Sequence, residues 1–292
     1  MNKKVSIAVI GSINLDLVAN VKAFPLPGET VTNAVLNRFP GGKGANQAVA
    51  AFRLGASVFM VGRVGNDPAA EEALQTLRKE GIDLAYCKPL DGCSTGLAMI
   101  VVNETGENQI VVAPGANAAF DAEHLELPPT DACIAQLEVP IATILKAARA
   151  SSNFFCLNAA PAKPVPHELL EHVDLLVVNE IEALALGEEL DSYQGLLAST
   201  HGAKGAVLSR HGQPIAQAKS PKVEVVDTTG AGDAFTAALT VALVKGTDPQ
   251  AALEHACIVG ALATTKMGAQ SSPTVADVNA FIRNIASSQS LL

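Results

Sequence analysis

Tryptophan is absent from the chain, tyrosine occurs twice, and aromatic residues amount to 4% of the total. With alanine and glycine plentiful instead, helices can pack closely on a sheet. Basic residues are the scarcer charge. Twenty Lys and Arg stand against 29 Asp and Glu, the net charge is −9, and no Lys/Arg cluster occurs. Duplex nucleic acid is therefore not an expected partner. A small anionic substrate would need a local positive site, such as a helix N-terminus or a bound cation. No run of about 20 apolar residues exists, so no membrane-spanning helix is expected. The opening Met1-Asn2-Lys3-Lys4 and the early Asp16 leave too short and too polar a stretch for a signal peptide. Five scattered cysteines (Cys87, Cys93, Cys133, Cys156, Cys257) form no C-x-x-C pair. That excludes a disulfide framework or zinc cluster and points to a reducing cytoplasm. Six histidines are spread without ligand spacing.

Two nucleotide motifs are also missing. Gly11 is followed by Ser12, Ile13 and Asn14, so the G-x-G-x-x-G of a hydride-transfer enzyme is not there. Lys43 is followed by Gly44 instead of Ser or Thr, so Gly41-Gly42-Lys43-Gly44 is not a P-loop. What the chain does have is bulk. It runs to 292 residues, 49% hydrophobic and 17% charged, enough for one large domain or two small ones with a sizeable core.

Taken in order, short apolar runs alternate with helical patterns. Val5 to Ile10 is a buried strand by its length and flanks. Asn14 and Asp16 follow, two apart and so on one face of an extended segment. An amide beside a carboxylate suits sugar hydroxyls, although a polar turn leaving a strand has the same composition. Gly41 to Gln47 opens a helix through Leu54, with Lys43 and Asn46 on one side of its first turn. Val58 to Val64 is a strand and Asp67 to Glu80 an amphipathic helix. Leu17 to Phe39 and Leu84 to Val112 break the rhythm. The second contains a hairpin turning at Glu104-Thr105-Gly106. Apolar on both sides, these stretches predict a small accessory sheet that covers a ligand and touches a second copy. Strands at Ala132–Leu137, Phe154–Leu157 and Leu175–Val178 end at Glu138, Asn158 and Asn179, where ligands sit in open α/β sheets and where helix caps also sit. Further strands are expected at Ala206–Leu208, Gln213–Ala218 and Val223–Val226, and helices at Pro249–Lys266 and Val275–Ile285. The Ser-rich tail, Ser287 to Leu292, is expected to fray.

The organising stretch is Asp227-Thr228-Thr229-Gly230-Ala231-Gly232-Asp233-Ala234-Phe235. A strand, a glycine turn and a helix (Phe235, Leu239, Leu243) present free amides and a positive dipole end to whatever lies above. Asp233 either caps the helix or serves as a base. Together with Asn14, Asp16, Lys43, Asn46 and Glu138, the stretch fits phosphoryl transfer to a polyol. Such a reaction needs positioning, charge neutralisation and a base beside the accepting hydroxyl.

At this point the chain resembles the ribokinase family of sugar kinases over nearly its whole length. The likeness rests on seven pieces in order. They are Gly11 to Asp16, Gly41 to Ala50, Gly115-Ala116-Asn117-Ala118, Asn158 to Ala162, Asn179-Glu180-Ile181-Glu182, Asp227 to Phe235, and Gly268 to Ser272. The resemblance implies a single ribokinase-like α/β domain. It would be a three-layer sandwich with a mainly parallel central sheet, helices on both faces, and a small β lid formed by about residues 17–39 and 84–112. It implies ATP-dependent phosphorylation of the 5-hydroxyl of D-ribose to D-ribose 5-phosphate. Asp233 would be the base, and the amides of Gly230, Ala231 and Gly232 the anion hole. Asn14, Asp16, Gly42, Lys43, Asn46 and Glu138 would hold the sugar. Asn179, Thr200, Gly202, Gly205, Gly232 and Cys257 would lie along the nucleotide, with Glu182 placing Mg2+ through water. Asp227, Thr229, Ala263, Lys266, Gly268 and Ser272 match the family's activating cation site, usually K+, mostly through carbonyls. A cytoplasmic homodimer through the lid is expected. Two departures touch the nucleotide side: Asn158-Ala159-Ala160-Pro161 has alanine where the family commonly has proline, and Cys257 falls near where relatives often place a polar residue against adenine.

Alternatives are a kinase for another furanose or a nucleoside, and a non-catalytic sugar sensor. Few aromatics disfavour a nucleoside slot, and a sensor has no need of Asp233.

Overall fold

The computed structural model describes residues 4–289. Thirteen strands are β1 Ser6–Ile10, β2 Asn14–Asn20, β3 Val35–Gly41, β4 Ser57–Gly65, β5 Cys87–Leu90, β6 Gly96–Val102 and β7 Asn108–Ala113. They continue with β8 Ala132–Gln136, β9 Phe154–Asn158, β10 Leu175–Asn179, β11 Leu196–Thr200, β12 Ala206–Arg210 and β13 Gln213–Ala218. The helices are α1 Lys43–Arg53, α2 Pro68–Ala73, α3 Gln75–Glu80, α4 Ile141–Ala150 and α5 His167–Leu170. Then come α6 Glu180–Leu186, α7 Glu188–Ser192, α8 Ala231–Val244, α9 Pro249–Ala263 and α10 Val275–Gln289.

Nine strands form one sheet in the order β13-β12-β11-β10-β9-β8-β1-β4-β5. Pairing is parallel from β11 to β5 and antiparallel from β11 to β12 and in the edge hairpin β12–β13. Side chains of β1 alternate between two cores. Ile7 and Val9 pack with α1, α8 and α9 residues, while Ala8 and Ile10 pack with those of α4 and α5. That is the period of two of a strand buried on both faces, and it gives the expected helix–sheet–helix layering. The chain leaves β1 for β4 on one side and returns through β8 on the other. Where strand order reverses, the loops diverge and open a crevice at the carboxyl ends.

A second sheet, β3-β2-β6-β7, stands apart. β2 runs parallel to β6, and β3 and β7 flank them antiparallel. It occupies only part of the stretches expected for it, because 21–34 form no strand and Cys87–Leu90 extends the large sheet instead, paired with β4.

Other expectations need correction. Val223–Val226 is not a strand. Its Val226 amide bonds only to the Thr264 carbonyl, and Val225 and Val226 are exposed. The antiparallel hairpin already ends the sheet, so this apolar run has no ladder to join. The helix expected over 67–80 breaks at Leu74 into α2 and α3. β11 is not anticipated from the sequence. The last helix continues to Gln289, past the start of the expected frayed tail, while 290–292 of that tail lie outside the described residues.

Candidate active site

The crevice between β1 and β8 collects the polar residues. Just beyond β8, Glu138 accepts a 2.5 Å hydrogen bond from Ser12 Oγ and a 3.2 Å bond from the Lys43 amide at the start of α1. Gly42 is the N-cap residue of α1. Asn14 and Asp16 open β2 on one face and both are buried. Asn14 Oδ1 accepts from Asn117 Nδ2 at 2.8 Å, and Asn117 is itself fixed to the Ile13 amide and carbonyl. This bond fixes the Asn14 oxygen as acceptor and leaves its amide nitrogen as a donor. A Cβ at Gly96 would stand 2.3 Å from both partners, so only glycine lets β6 pass here.

The Asp16 carboxylate accepts no hydrogen bond among the described residues, and burial, then Glu138 and Asp233, pushes its carboxyl up to about 7. Lys43 is the counterweight. Asp233 first, against desolvation and with help from Glu138 and Glu182, keeps its ammonium above the usual lysine range. Asp16, Lys43, Glu138, Glu182 and Asp233 thus share one field.

The glycine turn follows a loop instead of a strand. Gly230 is left-handed at φ 79° and forms the N-cap of α8 with no side-chain cap. The Ala231 amide donates to the Thr228 carbonyl at 3.3 Å, but no partner within the described residues takes the amides of Gly230, Gly232 or Asp233. The free donors therefore differ by one residue from the expected set. Asp233 does not cap the helix. Its Oδ2 accepts from Asn46 Nδ2 and its Oδ1 from Gln47 Nε2, each at 2.9 Å. Gln47 and its partner Gln136 were not foreseen as site residues. Gln47 stands within the glycine-rich helix start singled out from the sequence, but nothing there assigns its side chain a role, and Gln136 lies inside an expected strand. Further along α8, residues 233–242 are all buried, more than a one-faced pattern foretells. Thr236 and Thr240 satisfy their hydroxyls by bonding back to the carbonyls of Gly232 and Thr236.

A cavity of about 610 Å³ runs from this turn toward β11 and α9. Thr200, Gly202, Gly205, Gly232 and Cys257, five of the residues that the resemblance assigns to a nucleotide, line it, with Val223 and Val225 among the apolar walls. The run mistaken for a strand is thus cavity wall. Burial pushes the Cys257 thiol up to about 11, leaving a neutral, weakly polar group. Asn179 is not in the lining. Its side chain caps α6 by accepting from the Ile181 and Glu182 amides, and Glu182 returns a bond from the Asn179 amide. Burial raises the Glu182 carboxyl.

Asp227 joins two segments. It accepts from the Thr229 and Gly268 amides at 2.9 Å each. The Ala263 carbonyl accepts from Ser271 Oγ, and the Ser272 carbonyl from Arg53 Nη1. Lys266 is exposed. No group of three or more His, Cys, Asp or Glu side chains is placed to hold a metal among the described residues. The Ala263 and Ser272 carbonyls keep a second lone pair, and Ser272 Oγ is buried with no partner among the described residues. Such a neutral oxygen set beside one carboxylate fits a weakly charged, oxygen-seeking cation.

Residues 4–275 match the pfkB family carbohydrate kinase model. The chain is 40% identical over 279 residues to a ribokinase from Bacillus subtilis, spanning 91% of this chain and 94% of that one. The ribokinase structure from Thermotoga maritima superposes with a TM-score of 0.88 at 33% identity, over 96% of this chain and 100% of that one. Arabidopsis thaliana ribokinase, solved with ribose and ATP, gives a TM-score of 0.84 at 28% identity, over 96% and 99%. Seen with the buried carboxylate at a helix start and the polar crevice beside it, these likenesses leave one conclusion: the chain belongs to the pfkB family of carbohydrate kinases.

Proposed function

We propose that this chain is an ATP-dependent ribokinase, converting D-ribose to D-ribose 5-phosphate. One observation carries the reading. Asp233 stands buried in the first turn of α8, beside free helix-start amides of which Gly232 lines the cavity, and within the field of the buried Asp16 and of Lys43. The sugar lies in the crevice, its hydroxyls bonded to Asn14, Asp16, Lys43, Asn46 and Glu138. Asn46 Oδ1, buried without a partner, is an acceptor in waiting. The nucleotide lies in the cavity along Thr200, Gly202, Gly205 and Cys257. Asp233 takes the proton of the 5-hydroxyl as that oxygen bonds to the γ-phosphorus, and the bond to the β,γ-bridging oxygen breaks, releasing ADP. The amides of Gly230 and Gly232 and the Lys43 ammonium stabilise charge on the transferring phosphate. Mg2+, with Glu182 nearby, would neutralise phosphate charge, and K+ held by Asp227 and the 263–272 carbonyls would set the field beside the anion hole. The small sheet serves as a lid over the sugar and as the contact in a homodimer. Five free thiols fit a cytoplasmic setting.

Asp233→Asn is expected to keep ribose binding while kcat falls by roughly 10² or more. Near-normal turnover in that variant removes the base assignment. A coupled assay over ribose, deoxyribose, fructose and adenosine, with and without potassium, tests substrate and cation together. Preference for a sugar other than ribose overturns the substrate.

A further inference from the structure

Asp233 is held from behind by a relay of buried amides. Gln47 is fully buried on α1, among Ala45, Ala48 and Val49. Both hydrogens of its Nε2 are used, on Asp233 Oδ1 at 2.9 Å and on Asn158 Oδ1 at 3.1 Å. Its Oε1 accepts from Gln136 Nε2 at 2.6 Å, and Gln136 is fully buried at the end of β8. A buried amide costs free energy unless paired, so packing alone favours an apolar residue at position 47. A carboxylate only accepts, and this sets the direction of the relay. Gln47 has to present its nitrogen to Asp233, and its oxygen then requires the nitrogen of Gln136.

We propose that Gln47 is a positioning residue for Asp233, anchoring Oδ1 to the ends of β8 and β9 so that Oδ2, which also accepts from Asn46 Nδ2, turns its remaining lone pair to the acceptor hydroxyl. The inference rests on the base assignment above. Gln47 does not line the cavity. The charged groups around Asp233 are Asp16 from β2, Glu138 beyond β8, Glu182 from α6 and Lys43 from α1. Among them only Lys43 is cationic, so the amide donors of Gln47 and Asn46 are the neutral partners that hold the carboxylate in place.

The test is steady-state kinetics against pH for wild type, Gln47→Met and Gln47→Glu, with folding checked by circular dichroism. For Gln47→Met, kcat is expected to fall about tenfold or more, the loss of one hydrogen bond to a charged group. KM for ribose should stay within about twofold, because the group acts in the transition state. The acid limb of the kcat profile should move to higher pH, farthest in Gln47→Glu, where a second carboxylate faces the first. Folded variants with the wild-type kcat and acid limb overturn the inference, as does a drop in kcat with the acid limb unmoved, which a purely structural role would give. Gln47→Glu is isosteric and decides by the same readouts if Gln47→Met does not fold. A wild-type chain that phosphorylates no sugar sinks the base assignment itself. An active wild type with indifferent variants sinks only the role of Gln47.

Discussion

Burial and the carboxylates of Glu138 and Asp233 raise Asp16 from an ordinary 3.8 to about 7. Between those values the folded chain binds a proton that the unfolded chain has released. Its stability therefore falls as pH rises through that window. Above it, the sugar-free protein carries a buried carboxylate without a hydrogen bond. Asp16→Asn is expected to raise Tm of the sugar-free protein by a few degrees at about pH 8, while ribose affinity falls by roughly 10² through loss of a charged acceptor. Thermal melts and calorimetry check both. An unchanged Tm removes the burial cost, and an unchanged affinity removes the sugar contact. The pairing of Asn14 with Asp16 was legible because it depends only on two residues sharing a strand face. The bond that orients Asn14 comes from Asn117, 103 residues away, and nothing local announces it.

At the scale of elements, the start of α8 is wedged against the C-terminal segment. A Cβ on Gly230 would stand 2.2 Å from the Ala269 carbonyl, on a backbone already at φ +79°. Gly230→Ala is expected to push the 268–272 segment away and to cost about 1–3 kcal/mol of stability. It should also lower kcat at least tenfold, since the helix-start amides proposed as the anion hole turn with it. Denaturant melts and kinetics test this, and wild-type values for both contradict it. Arg53 braces the same segment from the end of α1, donating to the Gln270 and Ser272 carbonyls while Glu80 holds its other nitrogens. If this segment holds K+ as proposed, Arg53→Met should raise the potassium concentration needed for half-maximal activation, read from kcat against added salt. The same activation curve would mean the brace has no bearing on the cation. The glycine turn was legible because a left-handed residue before a helix is a local property. The missing strand before it was not, since an apolar run reads alike whether it faces a core or a cavity.

For the whole molecule, the second sheet leaves Val35, Leu36, Met99, Ile110, Val111 and Val112 exposed on three of its four strands. Val111 is 63% exposed on an edge strand, a poor place for valine unless something covers it. With the sheet as dimer contact, Val111→Asp should shift sedimentation from dimer to monomer and leave the cavity side unaltered. A wild type that already sediments as a monomer ends the dimer proposal. The sequence by itself determined the alternation of strands and helices, the polar residues at strand ends and the glycine turn, because each follows from the chain's own periodicity and backbone freedom. Only the tertiary structure decided that Asn46 and Gln47 grip a carboxylate 187 and 186 residues later. It also decided that Arg53 reaches Ser272 across 219 residues, and that Cys87–Leu90 extends the large sheet. Hydrogen bonds between distant segments depend on which helix lies over which strand end, and that choice is made by packing, which no stretch of sequence holds on its own.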